Sequence, residues 1–142
     1  MIFFKRPNIP LNVQFEAACA AASVHDYKRV TQMLSEYGYP KWASDHHNRL
    51  KKYLTFTPDQ LLEYLRQHHE LCEKLWGDCA DKRVSASTVF QKNMRTLEYE
   101  VGFFDVSRKP DYHREFRSFE TIEEAATDYV LFSLGMPRLN ES

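Results

Sequence analysis

Apolar residues recur at helical spacing through the first half of the chain, at every second position through residues 97–103, and at helical spacing again near the end. Val24, Tyr27, Val30, Leu34 and Tyr37 line one helix face, and an alanine-rich run from Asn12 to Ala22 precedes them. Together they predict helix over 12–37, either one bent helix or two joined at Ser23. Asn12 and Ser23 are the expected caps, the second helped by Asp26, and Gly38 with Pro40 is the expected stop. A shorter helix is predicted over 45–53. Thr57-Pro58-Asp59-Gln60 then combines a capping hydroxyl, Pro at the first helical position, an early acid and a Gln that can reach back. It opens a helix predicted over 58–76, with Leu61, Leu65, His68, Cys72 and Leu75 on one stripe and Gly77 as its end.

Beyond Asp81 the spacing changes. Residues 84–91 lean towards strand. Over 96–106, Leu97, Tyr99, Val101 and Phe103 alternate with Glu98, Glu100 and Gly102, as in a half-buried strand. Arg108-Lys109-Pro110-Asp111 reads as a turn, and 112–118 as the returning strand. Thr121-Ile122-Glu123-Glu124 is a second capping box, opening a helix over 122–134 that Gly135 and Pro137 close. The expected fold class is α+β: leading helices, a small antiparallel sheet of about three strands, and a closing helix. Residues 1–142 fit a single domain.

Composition narrows the function classes. Nineteen basic residues against twenty acidic ones leave a net charge of −1, so the basic excess of a polyanion binder is missing. Three cysteines at irregular spacing do not form a disulfide framework, and reduced thiols are expected. Met1-Ile2-Phe3-Phe4-Lys5-Arg6-Pro7 places apolar residues ahead of charges, the reverse of a secretory leader. No run approaches the roughly 18 apolar residues of a membrane span. The expectation is a cytoplasmic protein without a membrane partner.

Candidate chemistry is sparse. His68 and Cys72 lie four positions apart on one helix face, as two zinc ligands would, and Cys79 follows. Yet Cys79 lies beyond Gly77, no C-x-x-C pair exists, and Glu73 stands where a zinc-protease helix needs its second histidine. Gly-rich phosphate loops and a Gly-x-Ser-x-Gly elbow are also missing. Glu98 and Glu100 share one strand face and read as solvated charges. No catalytic residue, metal or cofactor is therefore expected, with a small metal- or thiol-dependent enzyme using His68, Cys72 and Cys79 as the alternative. Arg108, Lys109, Arg114 and Arg117 form a basic block that could serve a nucleic-acid-binding regulatory module. Glu120, Glu123, Glu124 and Asp128 follow at once and would repel phosphate, while suiting a helix N-terminus.

The strand Leu97–Phe104, the segment Tyr112–Phe116 and the phrase Phe119-Glu120-Thr121-Ile122-Glu123-Glu124-Ala125 resemble the ending of many small bacterial immunity proteins. Those partner the toxins of contact-dependent growth inhibition and other polymorphic toxin systems. The resemblance spans only the last third, and its motif is architectural. It implies a non-catalytic inhibitor that binds a cognate toxin domain. Such a pair is expected to use complementary charge for capture and an aromatic anchor for slow release. The expected partner-binding set is Asp105, Arg108, Lys109, Asp111, Tyr112, Glu120, Glu123 and Glu124.

Overall fold

The computed structural model describes residues 8–24, 26–41, 46–80, 86–105 and 113–140. Within them the order is α1 (Leu11–Val24), α2 (Tyr27–Leu34), α3 (His46–Leu50), α4 (Pro58–Arg66), α5 (His69–Ala80), β1 (Ala86–Lys92), β2 (Tyr99–Asp105), β3 (His113–Phe119) and α6 (Ile122–Ser133). Single 3₁₀ turns follow α2 at Ser35–Tyr37 and α3 at Lys51–Tyr53. The fold is α+β, as the periodicity predicts.

The region predicted as helix over 12–37 is two helices, with caps that differ from those expected. The N–H groups of Val13 and Gln14 both bond to the Pro10 carbonyl at 3.1 Å, so α1 starts ahead of Asn12. Its start is fixed from a distance by Gln14, which is buried. The Gln14 amide donates to the carbonyl of Ile9 at 2.9 Å and accepts the N–H of Thr55 at 2.7 Å. Ser23 lies inside α1, and Asp26 is the cap of α2, its carboxylate accepting from the Arg29 N–H at 3.1 Å. Gly38, at φ +90°, provides the expected left-handed stop.

Thr57 and Gln60 form the expected reciprocal box at the start of α4, at 3.2 and 2.8 Å. The helix expected over 58–76, however, is broken at Gln67-His68, and α5 runs through Gly77 to Ala80. Neither Gly nor Pro stands at that break. At α6, Thr121 caps the Glu124 N–H at 3.2 Å, and its hydroxyl donates to the Glu124 carboxylate at 2.8 Å.

The three strands make an antiparallel meander in the order β1-β2-β3. Phe90, Val101 and Arg117 stand in one row and Lys92, Tyr99 and Phe119 in another, on the face that meets α6. Phe90 packs against Tyr129 of α6 with ring centroids 5.6 Å apart. The β2–β3 register shifts between Val101 and Phe103, leaving Glu115 and Phe116 opposite Gly102. Glu115 takes φ +56° there, and the ring of Phe116 covers Gly102 on the side away from α6. A Cβ at Gly102 would fall 2.2 Å from that ring, so only glycine fits. The bulge resets the alternation of β3 and sends Arg117 and Phe119 inward.

Helix α6 is the hub. Ile122, Ala125, Ala126, Tyr129, Val130 and Leu131 are all buried, and the core joins them to residues of α1, α4, α5 and the sheet. Ala17, Ala18, Ala21 and Ala22 are fully buried, which lets α1 approach its neighbours closely. The Tyr129 hydroxyl donates to the Ala22 carbonyl at 3.1 Å, satisfying a carbonyl at the end of α1. Among the described residues no helix is long and apolar enough to cross a membrane.

Gly135, at φ +69°, ends α6 and turns the chain back towards the sheet. Arg138 is then buried against the fully buried Asp128, its Nε donating to the carboxylate at 3.1 Å. It also donates to the Val101 carbonyl at 3.0 Å and to the Glu115 carbonyl, tying helix, tail and bulge together. The Leu139 N–H donates to Asp128 at 3.3 Å, and Arg117 donates to the Leu139 carbonyl at 2.8 Å. A buried charge pair is stable only when its remaining hydrogen-bonding capacity is filled, as the backbone does here.

Candidate functional site

The residues singled out for chemistry serve the backbone. The His68 Nδ1 bonds to the Tyr64 carbonyl at 2.7 Å, and the Cys72 thiol donates to the Leu65 carbonyl at 3.5 Å. Both carbonyls lie in the last turn of α4 and also accept backbone N–H groups, Gln67 bonding to Tyr64 and His68 to Leu65, each at 3.1 Å. At the Gln67-His68 break the last turn of α4 thus tightens to bonds three residues apart, and the two side chains add second bonds to the same carbonyls. Since a carbonyl only accepts, His68 holds its proton on Nδ1, leaving Nε2 as an acceptor.

Cys79 acts at the sheet. The N–H of Phe90 and the carbonyl of Thr88 point to the open edge of β1, away from β2. The Cys79 sulfur accepts from the first at 3.2 Å and donates to the second at 3.8 Å. His68 and Cys72 thus meet one turn of backbone and Cys79 another, and no group of three potential metal ligands occurs among the described residues. Burial pushes the Cys72 thiol up to about 12, with Glu123 and Glu70 adding to the effect. Cys19 rises to about 12 as well, through burial first and then the neighbouring Cys72 and Glu16.

Of the expected partner-binding residues, Arg108, Lys109, Asp111 and Tyr112 lie outside the described residues. The others fall at two ends of the sheet. Tyr99 pairs with Phe119, which places Glu120, Glu123 and Glu124 beside the start of β2. Asp105 stands at the finish of β2, paired with Ala86, roughly 20 Å further along at about 3.3 Å per residue. Glu124 is engaged with the Thr121 hydroxyl, while Glu120 is exposed.

Glu123 accepts from the His69 Nδ1 at 2.8 Å, joining the first turns of α5 and α6, and the other ring nitrogen lies 3.2 Å from Glu73. The hydrogen bond to Glu123 raises the His69 pKa above its ordinary value, with smaller help from Glu73. Burial alone would raise Glu123, but the bonds from His69 and from the helix backbone outweigh it, and its pKa is lowered. Arg117, part of the alternative basic surface, faces inward to Leu139 and lies 3.9 Å from Asp128. Glu100 accepts from the amides of Gln91 and Asn93 at 3.0 and 3.3 Å on the outer sheet face.

At the Glu120 end of the sheet, the β1–β2 connection presents two apolar side chains to solvent. Met94 is 76% exposed and Leu97 is 62% exposed. Leu97 was expected in the inward row of a strand over 96–106, but β2 starts only at Tyr99. Asn93 makes the difference. Its side-chain oxygen accepts the N–H groups of Arg95 and Thr96 at 2.9 and 3.2 Å, curling the chain into a turn. Its backbone carbonyl accepts from the Leu97 N–H at 2.7 Å, and its N–H donates to Glu98 at 2.8 Å. Leu97 is left at φ +64°, in the left-handed region that suits glycine or asparagine. The tip is held by local hydrogen bonds, and its strain lies at an exposed leucine.

A cleft of about 280 Å³ opens on the opposite side of α5, between that helix, α1, the start of α2 and the α4–α5 break. One wall is formed by Tyr64 and His68, stacked at 4.1 Å, with Phe15 against the other face of Tyr64 at 4.6 Å. Cys19, Ala20, Leu71 and Leu75 make it partly apolar, and Glu16, Asp26, Arg29, Glu70 and Lys74 bring charge. Cys72 is not part of it.

The motif reading overlooked both the tip and the cleft. Asn93 ahead of Arg95 and Thr96 was the available signal for the tip, whereas the cleft joins helices distant in sequence. No protein-family model, curated protein or solved structure matches the chain.

Proposed function

We propose that this chain is a non-catalytic inhibitor, an immunity protein that binds a cognate bacterial toxin domain through the Met94–Leu97 end of its sheet. The observation that carries this reading is Leu97, which combines a left-handed backbone with an exposed side chain. Stability alone favours glycine or asparagine at such a position, so an outward leucine is strain retained at a surface, as at ligand-contacting sites. A tip held by its own hydrogen bonds loses little freedom on docking. Burying Met94 and Leu97 in a partner pocket would contribute roughly 1.5–3 kcal/mol for each side chain. Glu120 beside them, with Lys92 and Arg95 on the hairpin, provides both charge signs for a complementary rim. The toxin as partner rests on the resemblance of the closing strands and helix to immunity proteins.

The test is co-expression with the toxin domain encoded by the adjacent reading frame, reading both co-purification and cell growth. The wild-type chain should bind and restore growth, and a Met94→Ser, Leu97→Ser variant should lose both while keeping its helical circular dichroism. A wild-type chain that neither binds nor protects removes the inhibitor reading. Full protection by the double variant removes the tip as its interface.

A further inference from the structure

We infer that the cleft between α1, α2 and the α4–α5 break is a binding site for a small organic cation, an amine or guanidinium on a short apolar stem. The inference is independent of the hairpin, because no lining residue belongs to the sheet or to α6. At about 280 Å³ the cleft sits at the small end of ligand sites, sized for a metabolite.

Its chemistry is rich in acceptors. His68 is held with Nδ1 as the donor to Tyr64, so in the neutral ring Nε2 is the acceptor. Tyr64, stacked between Phe15 and His68, is held rigidly and turns its edge to the cleft. Glu16 and Glu70 stand at the rim, both exposed and without an ion pair to any described residue. Ala20, Leu71 and Leu75 provide an apolar bed for a stem.

The competing charges are accounted for. Asp26 already caps α2, which removes that helix start as an anion site. Lys74 lies 3.8 Å from Asp78, leaving Arg29 as the remaining opposing cation of the lining. Burial first raises the Tyr64 hydroxyl, and Glu16 and Glu70 add to it, which places both carboxylates within reach of the cleft.

The probes are agmatine as the cation and glutarate as an anion of similar length, titrated into the isotopically labelled full chain at low and moderate salt. Agmatine should give saturable amide shifts at Glu16, Ala20, Leu71 and Leu75, and glutarate should give none. Glu16→Gln and Glu70→Gln should each weaken agmatine about fivefold, the range of an exposed ion pair, and Arg29→Gln should tighten it. Both glutamates are exposed and outside the core, so these variants keep the fold. The inference is overturned by the lack of saturable shifts with agmatine, by shifts spread evenly over surface acids, or by wild-type affinity in the double glutamine variant. Glutarate binding that depends on Arg29 overturns it equally, since the site would then be one for anions.

Discussion

The sulfur of Cys79 reaches the open edge of β1, takes the Phe90 N–H and gives its own hydrogen to the Thr88 carbonyl. Leaving backbone groups unpaired at a half-covered edge costs more than the bonds that satisfy them contribute. Cys79→Ala should therefore destabilise the chain by about 1–2 kcal/mol in urea denaturation with an unchanged slope. His69 allows a test by pH. Its pKa is raised by the bond to Glu123, so its contribution to stability is complete below the ordinary 6.5 and fades as pH climbs through the higher folded value. Glu123 is lowered, so its share is complete above the ordinary 4.5 and fades as pH falls through the folded value. The pair is strongest between those limits. In an NMR titration, His69 should show a midpoint above 6.5 that returns towards 6.5 in Glu123→Gln.

For the β1–β2 hairpin, strain can be separated from function with one substitution. Leu97→Gly removes a left-handed leucine and forfeits little burial, so it should raise stability by about 0.5–1 kcal/mol in denaturant titration. If Leu97 instead supports the fold, the same change will lower stability. The hairpin also marks how far the elements were legible in the sequence. Local chemistry located the Thr57 box, the Thr121 cap, the Gly38 stop and the α+β order, because each depends on bonds between residues a few positions apart. The start of α1 depends on Gln14 reaching Thr55, and the end of α4 is a tightened turn whose carbonyls take further bonds from His68 and Cys72. Leu97 matched the two-residue period, but the Asn93 turn outweighed that pattern. The cleft was hidden because its walls meet only once α1, α2 and α5 have packed.

At the scale of the molecule, α6 and the segment after it hold the two halves together. Asp128 and Arg138 form the centre of that hold, both buried, with Arg138 also over the Phe132 ring at 4.2 Å. Asp128→Ala would leave a buried guanidinium without its counter-charge, and a loss of about 3–5 kcal/mol is expected by calorimetry or denaturant. A loss under 1 kcal/mol would mean that the pair is dispensable. Replacing both residues by apolar ones should recover only part of the loss, because the Val101 and Glu115 carbonyls also depend on Arg138.

The same hold makes one amide behave unlike its surroundings. Leu139 belongs to neither a helix nor a strand, and such segments normally trade their hydrogens with solvent within seconds to minutes. Its N–H, however, is bound to Asp128, and freeing it means parting two buried charges. In heavy water that single signal should outlast its neighbours and fade together with the amides of α6, as part of the last cooperative unit to open.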